Sequence, residues 1–333
     1  MMLELSWAWW GVLAEPDRAG VVLLACVPAL AIAIDRLLGE PPVRWHPVVW
    51  MGRWLAWAGE RLAPNAEESA LLPQWRIFWM AAFSWCGAAA FVFSVSWLIQ
   101  SWVMTQPFWL AALALSLLLK PLLSWAMLHD EVLSVERELA QSLKAGQTQL
   151  KRLVSRDVEA LSAEGVRESA IESLAENLND SVVAPLFWFV LLGLPGAALF
   201  RFANTADAMW GYPGARNGRD WQWAGKWAAR ADDVLGWVPA RITALLICVW
   251  GGLRGCNRLP MEACRTPSPN GGWPMAAMAL VLGIRLSKPG VYALNESARL
   301  PGPADTLRAC AIGSRTVLVA ALLSCGVLLV VLT

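Results

Sequence analysis

The sequence predicts an all-α, polytopic integral membrane protein with broken or re-entrant helices around a polar site. Three observations predict it. Of the 333 residues, 57% are hydrophobic and only 16% are charged, where a soluble domain carries about 25% charged residues; the mean hydropathy is +0.46. Residues 77–99 contain no charge at all, and about 20 consecutive apolar residues cross a bilayer. Finally, the chain has 22 tryptophans, a residue that collects at membrane–water interfaces, where ring and N–H are both satisfied. The runs Trp7, Trp9, Trp10 and Trp45, Trp50, Trp54, Trp57 fit such a belt. A soluble enzyme is excluded. So is a nucleic-acid binder, because 27 Lys and Arg against 26 Asp and Glu leave no basic surplus to neutralise phosphates.

Taken in order, residues 20–34 form a short apolar span that stops at Asp35, and 35–76 read as a polar loop bearing Pro and Trp. The spans 77–99 and 107–128 follow, joined by the uncharged link 100–106. Lys120 and Pro121 interrupt the second span; Lys120 is read as snorkelling or ending the helix, with a polar interior as the alternative. Residues 129–181 read as a soluble helical insert, with apolar positions at 3–4 spacing. Pro185, Gly193, Pro195 and Gly196 break 182–200, and a broken segment is tolerated where backbone lines a protein cavity. Residues 201–235 are polar and glycine-rich. Spans are expected again at 236–253, which contains Pro239 and Arg241, and at 316–332, with a short apolar run at 275–286 between them. No internal repeat of transporter type is present, so 1–333 reads as a single membrane domain. Glu4 in place of a basic n-region argues against a cleaved signal peptide. Loop 35–76 carries five Arg and segment 129–181 six Lys and Arg, whereas 100–106 carries none. The positive-inside rule therefore puts the first two in the cytoplasm and the link outside, and cysteines at 179 and 217 are both expected to face the cytoplasm.

Two histidines cannot build a multi-His metal site, and seven cysteines without a C-x-x-C read as inert thiols. The densest chemical signal is RESAIESLAENLNDSVVAP. Glu168, Glu172, Glu176 and Asp180 recur every four residues, drifting only about 40° per step on a helix, so all four share one side. Like charges at that spacing repel. A solvated face is the plain explanation, but the stripe runs straight into an apolar segment. With the amide of Asn177 it makes a set of hard oxygen ligands suited to Mg²⁺, or a site for an ammonium group. Glu168, a turn further from the apolar segment, is expected to be dispensable. Asn204 and Asp207 lie at i,i+3. Arg230, Asp232, Asp233 and Arg241 flank or enter an apolar run, where an ionisable residue is a functional candidate; ion pairing of Arg230 with Asp232 or Asp233 is the plain alternative. A P-loop is absent, since Trp227 stands where Ser or Thr must hold Mg²⁺. GYPGARNG (211–218) could offer backbone N–H groups to a phosphate, or be a plain loop.

The strings DRLLGEPPVRWHPVVWMG, LVSRDVEAL, ESLAENLNDSVVAPLFW, NTADAMWGY, AARADDV, PARITA and SPNGGWP, in this order from about residue 30 to 310, resemble the CobD/CbiB family of cobalamin biosynthesis. The resemblance implies an inner-membrane, ATP-dependent acid–amine ligase, adenosylcobinamide-phosphate synthase. Such an enzyme joins (R)-1-amino-2-propanol or its phosphate to the f propionate of adenosylcobyric acid, with Mg²⁺ required and the site open to the cytoplasm. Other membrane enzymes of corrinoid assembly are candidate partners. The matching polar positions are Asp35, Glu40, His46, Arg156, Asp157, Glu172, Glu176, Asn177, Asp180, Asn204, Asp207, Arg230, Asp232, Asp233, Arg241, Ser268 and Asn270. In this reading Mg²⁺ sits on Glu172, Glu176 and Asp180. Asp207 or a carboxylate of the Asp232–Asp233 pair is the general base, and Arg156, Arg230 and Arg241 hold phosphates. Asp35, His46, Asp157, Asn177, Asn204, Ser268 and Asn270 contact substrate. The sequence departs from the family pattern at Thr266, Leu235, Gly236, Ser181 and Met275, where His, Asn, Gly and Glu are expected among these motifs. A membrane sensor of AmpE type is the competing reading, but it has no need of acids, amides and arginines in four separate motifs.

Overall fold

The computed structural model describes residues 18–67, 73–253 and 255–332; Glu4, Trp7, Trp9 and Trp10 lie outside the described residues. The chain runs through helices α1 (Arg18–Ala25), α2 (Val27–Leu38), α3 (Pro47–Leu62), α4 (Gln74–Val103), α5 (Phe108–Leu119), α6 (Trp125–Gln141), α7 (Leu143–Leu150) and α8 (Ala163–Leu178). A π-helical turn, Asn179–Val183, leads into α9 (Ala184–Trp210). Two short strands, β1 (Ala215–Arg216) and β2 (Arg219–Asp220), precede α10 (Lys226–Trp250), α11 (Leu259–Ala263) and α12 (Gly272–Leu282). Strands β3 (Leu286–Lys288) and β4 (Tyr292–Leu294) then form an antiparallel hairpin before α13 (Pro303–Leu332). Among the described residues, five helical runs are long and apolar enough to cross a membrane, and α1 with α2, bent by 45°, makes a sixth. The protein is an all-α polytopic membrane protein. The chain divides into two compact units, unit 1 (1–123, 185–235 and 324–333) and unit 2 (124–184 and 236–323).

In unit 1, the stretch expected to be a loop at 35–76 contains α3. Pro47 occupies its first turn, where proline's fixed φ favours helix entry. Trp50, Trp54 and Trp57 follow at i, i+4 and i+7, so the run is amphipathic rather than merely polar. Trp54 packs on Phe202 and Trp210, with ring centroids 6.2 and 6.3 Å away, while Trp45, Trp50 and Trp57 stay exposed. The core joins Leu55 and Ala58 of α3, Trp85 and Ala89 of α4, Phe202, Ala206 and Trp210 of α9, and Ala228 of α10. Trp210 is fully buried and its indole N–H donates to the Leu55 carbonyl at 3.0 Å. This approach depends on Gly59, since a Cβ there would lie 2.7 Å from both Trp210 and Trp221.

The apolar segment with two prolines and two glycines is broken, at Gly193 (φ 70°, ψ −156°) followed by Pro195. The break exposes backbone that the bilayer cannot satisfy. Gln100, almost wholly buried in α4, reaches in, and its side-chain oxygen accepts from the Leu194 N–H at 2.7 Å. Any Cβ at position 193 would collide with that amide.

Lys120 ends α5 but does not snorkel. It is 4% exposed, and its ammonium reaches Glu40 at 2.8 Å and Asp35 at 3.4 Å. His46 bonds the same Glu40 carboxylate at 3.2 Å. Burial works against ionisation of Glu40, yet the His46 ring and the Lys120 ammonium hold its carboxyl below the ordinary value. Residues 35, 40, 46 and 120 are thus one polar cluster, and the polar-interior alternative for Lys120 is the one observed.

Candidate active site

Helix α8 carries the acidic stripe. Ser162 caps its start, its hydroxyl accepting from the Gly165 N–H at 3.2 Å, and Glu164 in the first turn complements the helix dipole. The like-charge repulsion along the stripe is relieved because its acids meet different partners. Glu168 is buried, accepts from Arg285 at 3.1 Å and Ser287 at 2.8 Å, and so ties α8 to β3. Its carboxylate thus has a structural tie to the β3–β4 hairpin, with Arg285 itself partly exposed. Glu172 is also buried, and Arg156 holds it at 2.7 Å. The same guanidinium nitrogen donates to Ser169 at 2.7 Å. Glu176 is exposed. Asp180 falls in the π-helical turn, where it accepts from Asn179 at 2.8 Å. The extra backbone residue of such a turn shifts register, which is why an unbroken 3.6-residue count fails there.

Glu172, Glu176 and Asn177 face a pocket of about 210 Å³ with Arg156, Ser155, Ser169, Ser173, Lys288 and Tyr292. Asn177 donates to the Ser173 carbonyl at 2.9 Å, which fixes its amide. Burial, reinforced by the charges of Glu172 and Glu176, pushes the Tyr292 phenol well up, so it stays protonated and acts as a hydrogen-bond donor. Lys288 and Tyr292 come from the β3–β4 hairpin and carry a cation and a hydroxyl to the acidic stripe. Neither was expected from the sequence. The usable signal was LSKPGVYAL, two short strand-forming runs around a Lys-Pro-Gly turn.

A second group of the expected residues adjoins Glu176. A Cβ on Gly271 would lie 3.0 Å from a Glu176 carboxylate oxygen, so that carboxylate sits against the turn entering α12. The Ser268 hydroxyl accepts from the N–H groups of Asn270 and Gly271 at 3.2 and 3.0 Å. Asn270 in turn accepts from Arg241 at 2.7 Å. The Arg241 guanidinium also stacks on Trp237 and Trp273, 4.4 and 4.5 Å from the ring centroids, which lets a charged group sit in an otherwise apolar helix. The departures at 266 and 275 have local roles. The Thr266 hydroxyl lies 3.1 and 3.0 Å from the Ala263 and Ser268 carbonyls, and the Met275 sulfur accepts from the Tyr292 hydroxyl at 3.8 Å.

Unit 2 therefore brings together Arg156, Glu172, Glu176, Asn177, Ser268, Asn270 and Arg241. Asp157 is exposed nearby in a turn, accepting from the Glu159 N–H at 2.9 Å, and does not line the pocket. Asp35, His46, Asn204, Asp207, Arg230, Asp232 and Asp233 belong to unit 1. Arg230 makes no ion pair with either aspartate within 4.0 Å. Among the described residues no three carboxylate, imidazole or thiolate groups converge as a metal cage, and Asp180 is not a pocket residue. Two carboxylates on one pocket still fit Mg²⁺, which takes one or two protein carboxylates and completes its shell with water and substrate phosphates.

The profile of the CobD/CbiB protein family matches residues 28–317. The chain belongs to the CobD/CbiB family. It is 39% identical over 308 residues to a "probable cobalamin biosynthesis protein CobD" of Methanothermobacter thermautotrophicus, covering 91% of this chain and 97% of that one. It is 41% identical over 295 residues to the cobalamin biosynthesis protein CobD of Chromobacterium violaceum, covering 83% and 86%. The Brucella suis protein of the same name is 35% identical over 282 residues, covering 80% and 82%. No solved structure matches. Within this CobD/CbiB chain, the motifs that prompted the resemblance supply most of the unit 2 cluster, whereas the hairpin residues Lys288 and Tyr292 lie outside all of them.

Proposed function

We propose that the protein acts in cobalamin biosynthesis as an ATP-dependent acid–amine ligase. It joins (R)-1-amino-2-propanol, or its phosphate, to the f propionate carboxylate of adenosylcobyric acid. The reading rests on family membership for the pathway, and on one structural observation for the chemistry: Arg156, Lys288, Glu172 and Glu176 share a single small polar pocket. An unactivated carboxylate and an amine do not condense spontaneously in water. Attack of the propionate oxygen on the γ-phosphorus of ATP, with ADP leaving, gives an acyl phosphate. The amine nitrogen then attacks the acyl carbon, the C–O bond to phosphate breaks, and inorganic phosphate departs.

In this scheme Arg156 and Lys288 hold the phosphoryl oxygens, Arg as a planar fork and Lys as a mobile point charge. Lys288 has no ion pair among the described residues, so its charge is available to an anion. Glu172 and Glu176 would hold Mg²⁺, which when bound neutralises charge on the transferring phosphoryl group. Tyr292, kept protonated, donates to an oxygen anion. The pocket is smaller than the 300–1,000 Å³ typical of drug-sized ligands, so it admits a phosphoryl group and a small amine while the corrin stays outside it. The attacking amine must shed a proton to a carboxylate base before it attacks. The arginine-bearing segments 35–76 and 129–181 favour the cytoplasmic side of the inner membrane, where ATP is found.

Oxygen-18 tests the route. With label in the substrate carboxylate, an acyl phosphate transfers one labelled oxygen to the released phosphate for each amide formed. Amide formed with unlabelled phosphate would show a different activation.

A further inference from the structure

Unit 1 contains an apolar cavity of about 590 Å³ that the ligase reading does not use. Its walls are Trp85, Ala89 and Phe93 of α4 and Trp227, Arg230 and Val234 of α10. Helix α4 is the span with the least buried surface, only 17% of its most apolar window being covered by protein. Its outward residues Trp79, Phe83, Phe91 and Leu98 are exposed, so the helix faces lipid. A cavity of this size bordering lipid fills with whatever apolar chain adjoins it, since leaving it empty forfeits dispersion contacts along its whole lining.

The cavity is not purely apolar, and this selects the occupant. Arg230 lies one turn into α10 and lines the cavity, with no hydrogen bond or ion pair to any described residue. Its neighbours Asp232 and Asp233 do not neutralise it. The indole N–H groups of Trp85 and Trp227, which line the same cavity, are buried and find no acceptor. Arg230 is exposed at the cavity, so its guanidinium is an uncompensated cation at the rim of an apolar, lipid-facing groove, where an anionic headgroup is attracted. The missing partner is an anion joined to a long apolar body.

We propose that this cavity is a binding site for an anionic phospholipid, with an acyl chain between α4 and α10 and the phosphate on Arg230. Lys226 begins α10 and lies over the Trp223 ring at 4.0 Å. The first turn of α10 thus sits at headgroup level, with the positive end of the helix dipole turned toward the phosphate. Arg230, which the sequence offered as a substrate-phosphate ligand, is a lipid ligand in this assignment. The assignment does not depend on the ligase reading.

The test is native mass spectrometry of the purified full chain. It is delipidated and titrated with palmitoyl-oleoyl phosphatidylglycerol, or with phosphatidylcholine of the same chains. Wild type is expected to retain one phosphatidylglycerol per chain in preference to phosphatidylcholine. Arg230→Gln is expected to weaken phosphatidylglycerol binding about tenfold or more, the scale of a lost charge-assisted hydrogen bond, and to leave phosphatidylcholine binding unchanged. Ala90→Trp, which fills the mouth of the cavity and keeps the arginine, is expected to displace the lipid as well. Equal retention of both lipids by wild type, or unchanged phosphatidylglycerol binding in Arg230→Gln, overturns the proposal. So does an Arg230→Gln protein that keeps its lipid and loses affinity for adenosylcobyric acid, since the arginine would then be a substrate anchor. Lipid retention is read without turnover, so failure of the ligase reading leaves the result interpretable.

Discussion

Replacing Glu176 by Gln lowers amide formation by about 10²–10³-fold, the cost of removing one preorganised charge from a transition state, and leaves the protein folded in membranes. Glu176 is exposed and glutamine preserves its shape, so the substitution changes charge rather than packing. The contrast with its helical neighbour makes the prediction specific. Glu168→Gln weakens the contacts of a buried carboxylate with the partly exposed Arg285 and with Ser287, so its expected phenotype is less folded protein rather than lost turnover. Activity and membrane accumulation are measured on both variants across a Mg²⁺ titration. Full activity of Glu176→Gln at limiting Mg²⁺ would falsify its role in the pocket.

Lys120→Met destabilises unit 1 by about 3–5 kcal/mol, the scale for stranding a buried charge, which is a large part of the 5–15 kcal/mol that holds an ordinary domain together. The methionine fills the space of the lysine stem but removes the ammonium that lies 2.8 Å from Glu40 and 3.4 Å from Asp35, which is 1% exposed. The variant is expected to accumulate poorly and to unfold at markedly lower temperature in detergent. Lys120→Met combined with Asp35→Asn is expected to recover a substantial part of the loss, because the neutral amide no longer needs a counter-charge. A single variant as stable as wild type would show that the ion pair does not support the fold.

Much of the membrane architecture was legible because it follows from one-dimensional quantities. Apolar run length located the helices now seen as α4 and α13, and the clustered Pro and Gly of 182–200 marked the break at Gly193. Its completion by Gln100 was not legible, because the two residues lie 94 positions apart and an isolated glutamine carries no pattern. Helix α3 was missed because its tryptophans and arginines lowered the local hydropathy, although their i, i+4, i+7 spacing was that of an amphipathic helix. For the site, the periodicity of the acidic stripe correctly put Glu172 and Glu176 on one side of a helix. It could not show that Glu168 and Glu172 are each bound to an arginine, from residues 285 and 156, since ion-pair partners distant in sequence leave no trace in spacing. Asp180 dropped out of the pocket because the π-helical turn interrupts the 3.6-residue count, and Lys288 and Tyr292 entered through a hairpin too short to show periodicity.

Product mass tests directly whether this CobD/CbiB protein forms an amide at the expense of ATP. Purified wild-type protein in lipid is incubated with adenosylcobyric acid, Mg-ATP and either (R)-1-amino-2-propanol or its phosphate. The predicted result is a corrinoid heavier by the amine minus one water, with one ADP released per amide and no product when ATP is omitted. A corrinoid unchanged in mass with both amines, from protein that is folded and lipid-bound, would show that the protein does not make this amide.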